Sequence, residues 1–187
     1  MFFTDREIKE LFKAWLALSV AFAIASRNGS FFSPRLLASS ALTVGVGFLI
    51  HEMGHKFVAQ RFGYPAEFRS FDLMLVVAVL MSFTRFIFAL PGAVFVGGLP
   101  SFEENGRISA AGPAASLLLA SVFLALAGVF GRTTFGDLLS DGFRINSWWA
   151  LFNLLPLGNL DGRKILVWNK IVYGGLVLTA LFYFFVI

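Results

Sequence analysis

Residues 36–62 read LLASSALTVGVGFLIHEMGHKFVAQRF. From Leu36 to Ile50 there is no charged residue, and then both histidines of the chain arrive, His51 and His55, with Glu52 directly after the first. The apolar run has the length and composition of a helix built for lipid. At about 1.5 Å per residue His51 lies ~22 Å from Leu36, roughly 8 Å short of the far edge of a ~30 Å hydrocarbon core. Imidazole and carboxylate groups at that depth are costly, so something must compensate them.

The rest of the chain agrees with a membrane setting. Hydrophobic residues make up 58% of the 187, charged residues 14%, against roughly half and a quarter in soluble domains. There is no cysteine, which excludes disulfides and thiolate-ligated metals. The net charge of +4 is modest, and no Lys/Arg run interleaves with exposed aromatics, so nucleic acid is not an expected partner. The basic residues are better read as topology signals in a lipid bilayer.

Outward from the central stretch, the expected fold is an all-α multi-pass membrane protein. It has about five to six transmembrane or re-entrant helices, with short strand-like pieces between the second and third core helices. A first helix is expected over 8–26; a cleaved signal peptide is the rival, but Asp5, Glu7 and Glu10 spoil the basic leader it needs. RNGSFFSP (27–34) reads as a turn before the second helix, 36–62. Around 65–71 and 92–98, Gly, Pro and alternating residues suit turns and short strands. Between them the apolar stretch 73–90 resembles a span but contains Arg85. A charge-free helix covers 108–130, 131–143 is a polar connection, and 144–168 is helical with a break near Pro156 and Gly158. A terminal helix covers 171–187. All of 1–187 is one membrane-embedded domain with its core at 36–168 and peripheral helices at 8–26 and 171–187.

Positions i and i+4 share a helix face, so His51 and His55 can ligate one metal ion. Glu52 can reach a metal-bound water as general base, and zinc lowers that water's pKa to about 7. A catalytic zinc normally takes three protein ligands. Without cysteine or a third histidine, the third must be a carboxylate. Asp161, in FNLLPLGNLDGRK, follows an apolar helix at a matching depth, although LDG alone also reads as a helix C-terminal turn.

HEMGH together with Asn153, Pro156, Leu160, Asp161 and Gly162, in the pattern N-x-x-P-x-x-x-L-D-G, resembles the site-two protease family of intramembrane zinc metalloproteases. AGP at Ala111–Pro113, on the intervening helix, is similar to that family as well. The resemblance implies one Zn2+ held by His51, His55 and Asp161, Glu52 as catalytic base, and Asn153 on the substrate backbone or oxyanion. It implies a membrane zinc metalloendopeptidase, an EC 3.4.24-type hydrolase, cleaving transmembrane protein substrates in regulated intramembrane proteolysis. The chain departs from familiar members in lacking a PDZ or CBS module. The alternatives are a non-proteolytic membrane-protein-binding homologue, or a metal or ion transporter using the same groups as a transit site.

Both motifs fall late in their helices, so those helices should run parallel, with an even number of crossings between them. If 73–90 does not span, positive charge also favours one side, with 10 Lys/Arg inside against 4 outside; if it spans, the tally is 8 to 6. The expectation is therefore a re-entrant or interfacial 73–90, a cytoplasmic N-terminus, and an active site near the cytoplasmic side of the plasma membrane.

Overall fold

The computed structural model describes residues 2–26, 33–85, 87 and 90–186. Helix α1 (Asp5–Ala25) starts three residues before the expected position because the Thr4 hydroxyl accepts the Glu7 N–H and nucleates the first turn. Most of the expected turn at 27–34 lies outside the described residues. Helix α2 (Pro34–Arg61) begins with Ser33 as N-cap and Pro34 in its first turn, and contains a π turn at Ala41–Gly45. Strand β1 (Ala66–Ser70), helix α3 (Asp72–Ser82) and strand β2 (Gly92–Val96) follow. Next come α4 (Phe102–Phe130), α5 (Thr134–Asn153), α6 (Asp161–Trp168) and α7 (Lys170–Val186).

Among the described residues two helices, α2 and α4, are both long and apolar enough to cross a membrane. Helix α3 has 11 residues, about 16 Å of rise, roughly half a hydrocarbon core. It ends at Ser82, and Arg85 falls in the turn after it with φ of 65°. The apolar stretch 73–90 is thus not one continuous helix.

One boundary corrects the sequence reading. The connection expected at 131–143 is mostly helix, because Thr133 caps α5 by accepting the Gly136 N–H and starts it at Thr134. In 144–168 the break expected near Pro156 and Gly158 is present as a loop between two helices. Leu155 precedes Pro156 and so disfavours helical backbone, and Gly158 takes a positive φ of 52° in the turn that follows. Asp161 therefore opens a new helix; it does not end an old one.

The orientation of the helices follows from who meets whom. His51 meets Ser116 and His55 meets Ile108, so α2 and α4 run antiparallel. Asn146 reaches Thr43 while Trp149 packs edge-on against His51, so α2 and α5 run parallel. The expected parallel pair is present, with α4 as the crossing between.

The two strands pair antiparallel, Ala66 opposite Val96 and Phe68 opposite Val94. Phe68 is buried in a core with Leu11, Leu18, Phe48 and Trp149, which joins the sheet to α1, α2 and α5. At the outer rim, the Lys13 ammonium hydrogen-bonded to Asp72 holds its carboxyl below the usual carboxylate range, and the Thr4 hydroxyl does the same for Glu67.

A tight steric constraint lies between α2 and α4. A Cβ at Gly54 would stand 2.6 Å from the Ala111 carbonyl oxygen, a backbone atom that cannot swing away. Gly54→Val is therefore expected to destabilise the fold by about 1–3 kcal/mol. A lowered unfolding temperature in detergent would show it, and an unchanged one would mean that the helices are not in this contact.

Candidate metal centre

Helix α2 delivers His51 and His55 one turn apart, and both side chains are buried. Their Nε2 atoms lie 3.2 Å from each other. The Asp161 Oδ2 lies 3.4 Å from the first and 3.2 Å from the second. Four ligands at ~2.0–2.1 Å from a tetrahedral zinc stand about 3.3–3.4 Å apart. The three donors thus already occupy three corners of such a tetrahedron, and among the described residues they form a group able to hold a metal ion.

Each imidazole is oriented from behind. His55 Nδ1 bonds the Ile108 carbonyl at 2.8 Å, so it carries the proton and leaves Nε2 free to ligate. His51 Nδ1 meets the Ser116 hydroxyl at 3.0 Å, and Ser116 is fully buried. Both supports come from α4. That helix can come so close because residue 112 is glycine: a Cβ there would run into the Nε2 atoms of both histidines. The AGP motif therefore has a steric reason at its centre.

Asp161 comes from the opposite side. The loop after α5 turns back, Leu160 precedes the helix in extended conformation, and Asp161 is the first residue of α6. Gly162 lets that first turn lie against the Leu154 backbone at the end of α5. Ile165 anchors the helix in an apolar cluster with Leu117, Ala150 and Leu154.

Glu52 and the three donors line a cavity of about 690 Å³, which β2, the start of α4 and the loop after α5 complete. Asn153 lines it too, but its amide donates to the Trp149 carbonyl at 2.9 Å, a bond within its own helix. The site thus brings together the predicted ligands and base, adds Ser116 and Ile108, which no motif singled out, and gives Gly112 of the AGP motif its steric role.

The carbonyls and amides of β1 and β2 alternate in direction. Gly97 N bonds Pro65 O and Phe71 N bonds Pro91 O, so odd-numbered residues of the two strands face each other. The backbone groups of Gly92, Val94 and Val96 point away from β1, and these residues line the cavity. Val94 and Glu52 line the same cavity. Among the described residues no third strand covers this edge.

Residues 39–144 match the model of peptidase family M50. That span includes His51, Glu52, His55 and Gly112, and stops before Asn153 and Asp161. Three relatives carry the name putative zinc metalloprotease. MJ0611 of Methanocaldococcus jannaschii is 35% identical over 177 residues, covering 91% of this chain and 88% of the relative. YwhC of Bacillus subtilis is 29% identical over 150 residues, 70% of this chain and 68% of the relative. Rip3 of Mycobacterium tuberculosis is 31% identical over 146 residues, 71% of this chain but 32% of the relative. No solved structure matches the chain.

Ser116→Ala removes the partner of His51 Nδ1 and is expected to lower zinc affinity about 10–100-fold while the protein stays folded. Competition with a zinc-selective chelator measures this directly; an affinity within twofold of wild type would show that the hydroxyl does not orient the ligand.

Proposed function

As the chain belongs to peptidase family M50, the site-two proteases, and is an intramembrane zinc metalloprotease, we propose that His51, His55 and Asp161 hold its zinc. The single observation that carries this assignment is the triangle of donor atoms 3.2–3.4 Å on a side. The donor set of two neutral imidazoles and one carboxylate suits zinc and leaves a fourth position for water or substrate. Zinc bound there supplies Lewis acidity, lowering the pKa of water and polarising a carbonyl.

Glu52 is the general base. It stands one residue from the first ligand and lines the same cavity, where it would take a proton from the attacking water and hand it to the leaving nitrogen. Asn153 is assigned to the substrate backbone or the developing oxyanion. One N–H of its amide is held by the Trp149 carbonyl, and the second N–H is the donor it would offer there. The Ile108 carbonyl fixes the tautomer of His55, and the Ser116 hydroxyl orients the ring of His51.

A peptide bond inside a helix is shielded, so the substrate segment must be extended where it is cut. The free edge of β2 offers backbone donors and acceptors at Gly92, Val94 and Val96 beside Glu52, and an extended segment can add to it as a third strand. The substrate is a transmembrane segment of another membrane protein, and the enzyme is an EC 3.4.24-type endopeptidase acting in regulated intramembrane proteolysis. The chain acts as one domain, residues 1–187 with a core at 36–168, in the plasma membrane. Its N-terminus is cytoplasmic, and its cavity lies near the cytoplasmic face.

Glu52→Gln is expected to keep about one zinc per chain and to slow cleavage of a transmembrane-helix substrate by ~10²–10⁴-fold. Metal analysis beside a cleavage assay in detergent tests it; unchanged hydrolysis would sink the role given to Glu52. For topology, single cysteines placed at Gly98 and Asn105 of this cysteine-free chain should label from the cytoplasmic side, and labelling from outside would overturn the orientation.

A further inference from the structure

Beside the zinc site lies a buried ion pair that catalysis leaves unused. Lys56, the residue after the ligand His55, is 1% exposed, and its partner Glu7 from α1 is fully buried. The Lys56 ammonium lies 2.5 Å from Glu7 Oε2, donates to the Ala66 carbonyl at 2.9 Å, and sits 4.5 Å from the centre of the Phe3 ring. The other oxygen, Glu7 Oε1, accepts the Phe68 N–H at 2.9 Å. One turn later on α1, Glu10 accepts the N–H and hydroxyl of Ser70.

These bonds do two things to the sheet. They occupy the edge of β1 that faces away from β2: the Ala66 carbonyl and the Phe68 and Ser70 amides are all taken. An incoming strand can therefore add only at β2, on the cavity side. They also close a ring of contacts. Lys56 binds Glu7, Glu7 binds Phe68, Phe68 pairs in register with Val94, and the outward side of Val94 opens on the cavity that Glu52 lines. Glu52 and Lys56 are four residues apart on α2, so the ring returns to the helix turn from which it left.

We propose that Glu7 and Lys56 are positioning residues, which hold the substrate-binding edge of β2 at a fixed height and register over the catalytic base. The pair is an expensive way to gain stability, because removing two charges from water offsets much of their attraction. Its geometry explains the expense: a single carboxylate ties α1, the zinc helix and β1 together with directional bonds. Apolar packing, such as the Phe48–Phe68 contact below it, would not fix the strand's register along its own axis. Substrate that docks on β2 is thereby presented to Glu52 and the metal without a search.

The proposal rests on the metalloprotease reading, and its test separates the two. Purified full-length protein in detergent is titrated with acetohydroxamate, which reaches only the zinc. It is then titrated with a hydroxamate extended by a tetrapeptide backbone, which can also pair with β2. Two variants are compared with wild type: Glu7→Gln, and the neutral double variant Glu7→Gln/Lys56→Met, which leaves no unpaired buried charge and keeps an acceptor for Phe68. The expected result is one zinc per chain throughout, acetohydroxamate affinity within about twofold, and peptidyl hydroxamate affinity lowered about tenfold or more in both variants. Unchanged affinity for the peptidyl compound in the double variant overturns the proposal. So does a parallel loss of both compounds, which is what general damage to the fold would give. If wild type binds neither compound, the metalloprotease reading itself fails, whatever the variants do.

Discussion

How close α2 and α4 can approach is the constraint on which the site depends. Two glycines set it: Gly54 beneath the Ala111 carbonyl, and Gly112 against the imidazole rings. Once the helices are in contact, the Ile108 carbonyl and the Ser116 hydroxyl are placed behind the two histidines. The same contact leaves the Nε2 atoms 3.2 Å apart, converging where one metal can bridge them. A wider separation would leave two buried imidazoles unpaired, at a depth where such groups are costly.

Around that contact the remaining elements act as a frame. Helix α5 runs parallel to α2 and carries the chain back to the same depth, and the loop after it, turned at Pro156 and Gly158, inserts Asp161 from above. The strands sit across the mouth, their far edge sealed by α1 and their near edge open to the cavity. A hydrolase in lipid needs polar groups that are satisfied without the substrate and a place where the substrate's own backbone can be satisfied. The metal ligands meet the first need through α4, and β2 meets the second.

Much of the site was legible because its chemistry leaves marks in residue type. Two histidines four apart with a glutamate between them can be recognised without a structure, and the lack of cysteine pointed to a carboxylate as the third ligand. Asp161 was found for a partly mistaken reason: the helix, broken near Pro156 and Gly158, was expected to carry it to depth, whereas it opens a new helix beyond that break. The helical start of α5 was missed because GRTTFGDLLSDGF is polar, and one Thr133 cap outweighs that polarity. Ser116 and Ile108 could not be assigned as supports, since a serine hydroxyl and a backbone carbonyl carry no signal until the facing helix is known. The Glu7–Lys56 pair was hidden for the same reason, since nothing in the sequence places α1 against the turn that carries Lys56. Membership of family M50 does not favour a transporter or an inert homologue.

The central claim is that one zinc sits between His51, His55 and Asp161. Zinc K-edge X-ray absorption on the purified protein tests it most directly. The account predicts about one zinc per chain with a four-coordinate shell of N and O donors at ~2.0–2.1 Å and outer scattering from two imidazoles. In Asp161→Ala the two imidazoles should remain while zinc is bound far more weakly. A stoichiometric zinc with no imidazole scattering, or with one imidazole that persists when either histidine is replaced, would contradict it.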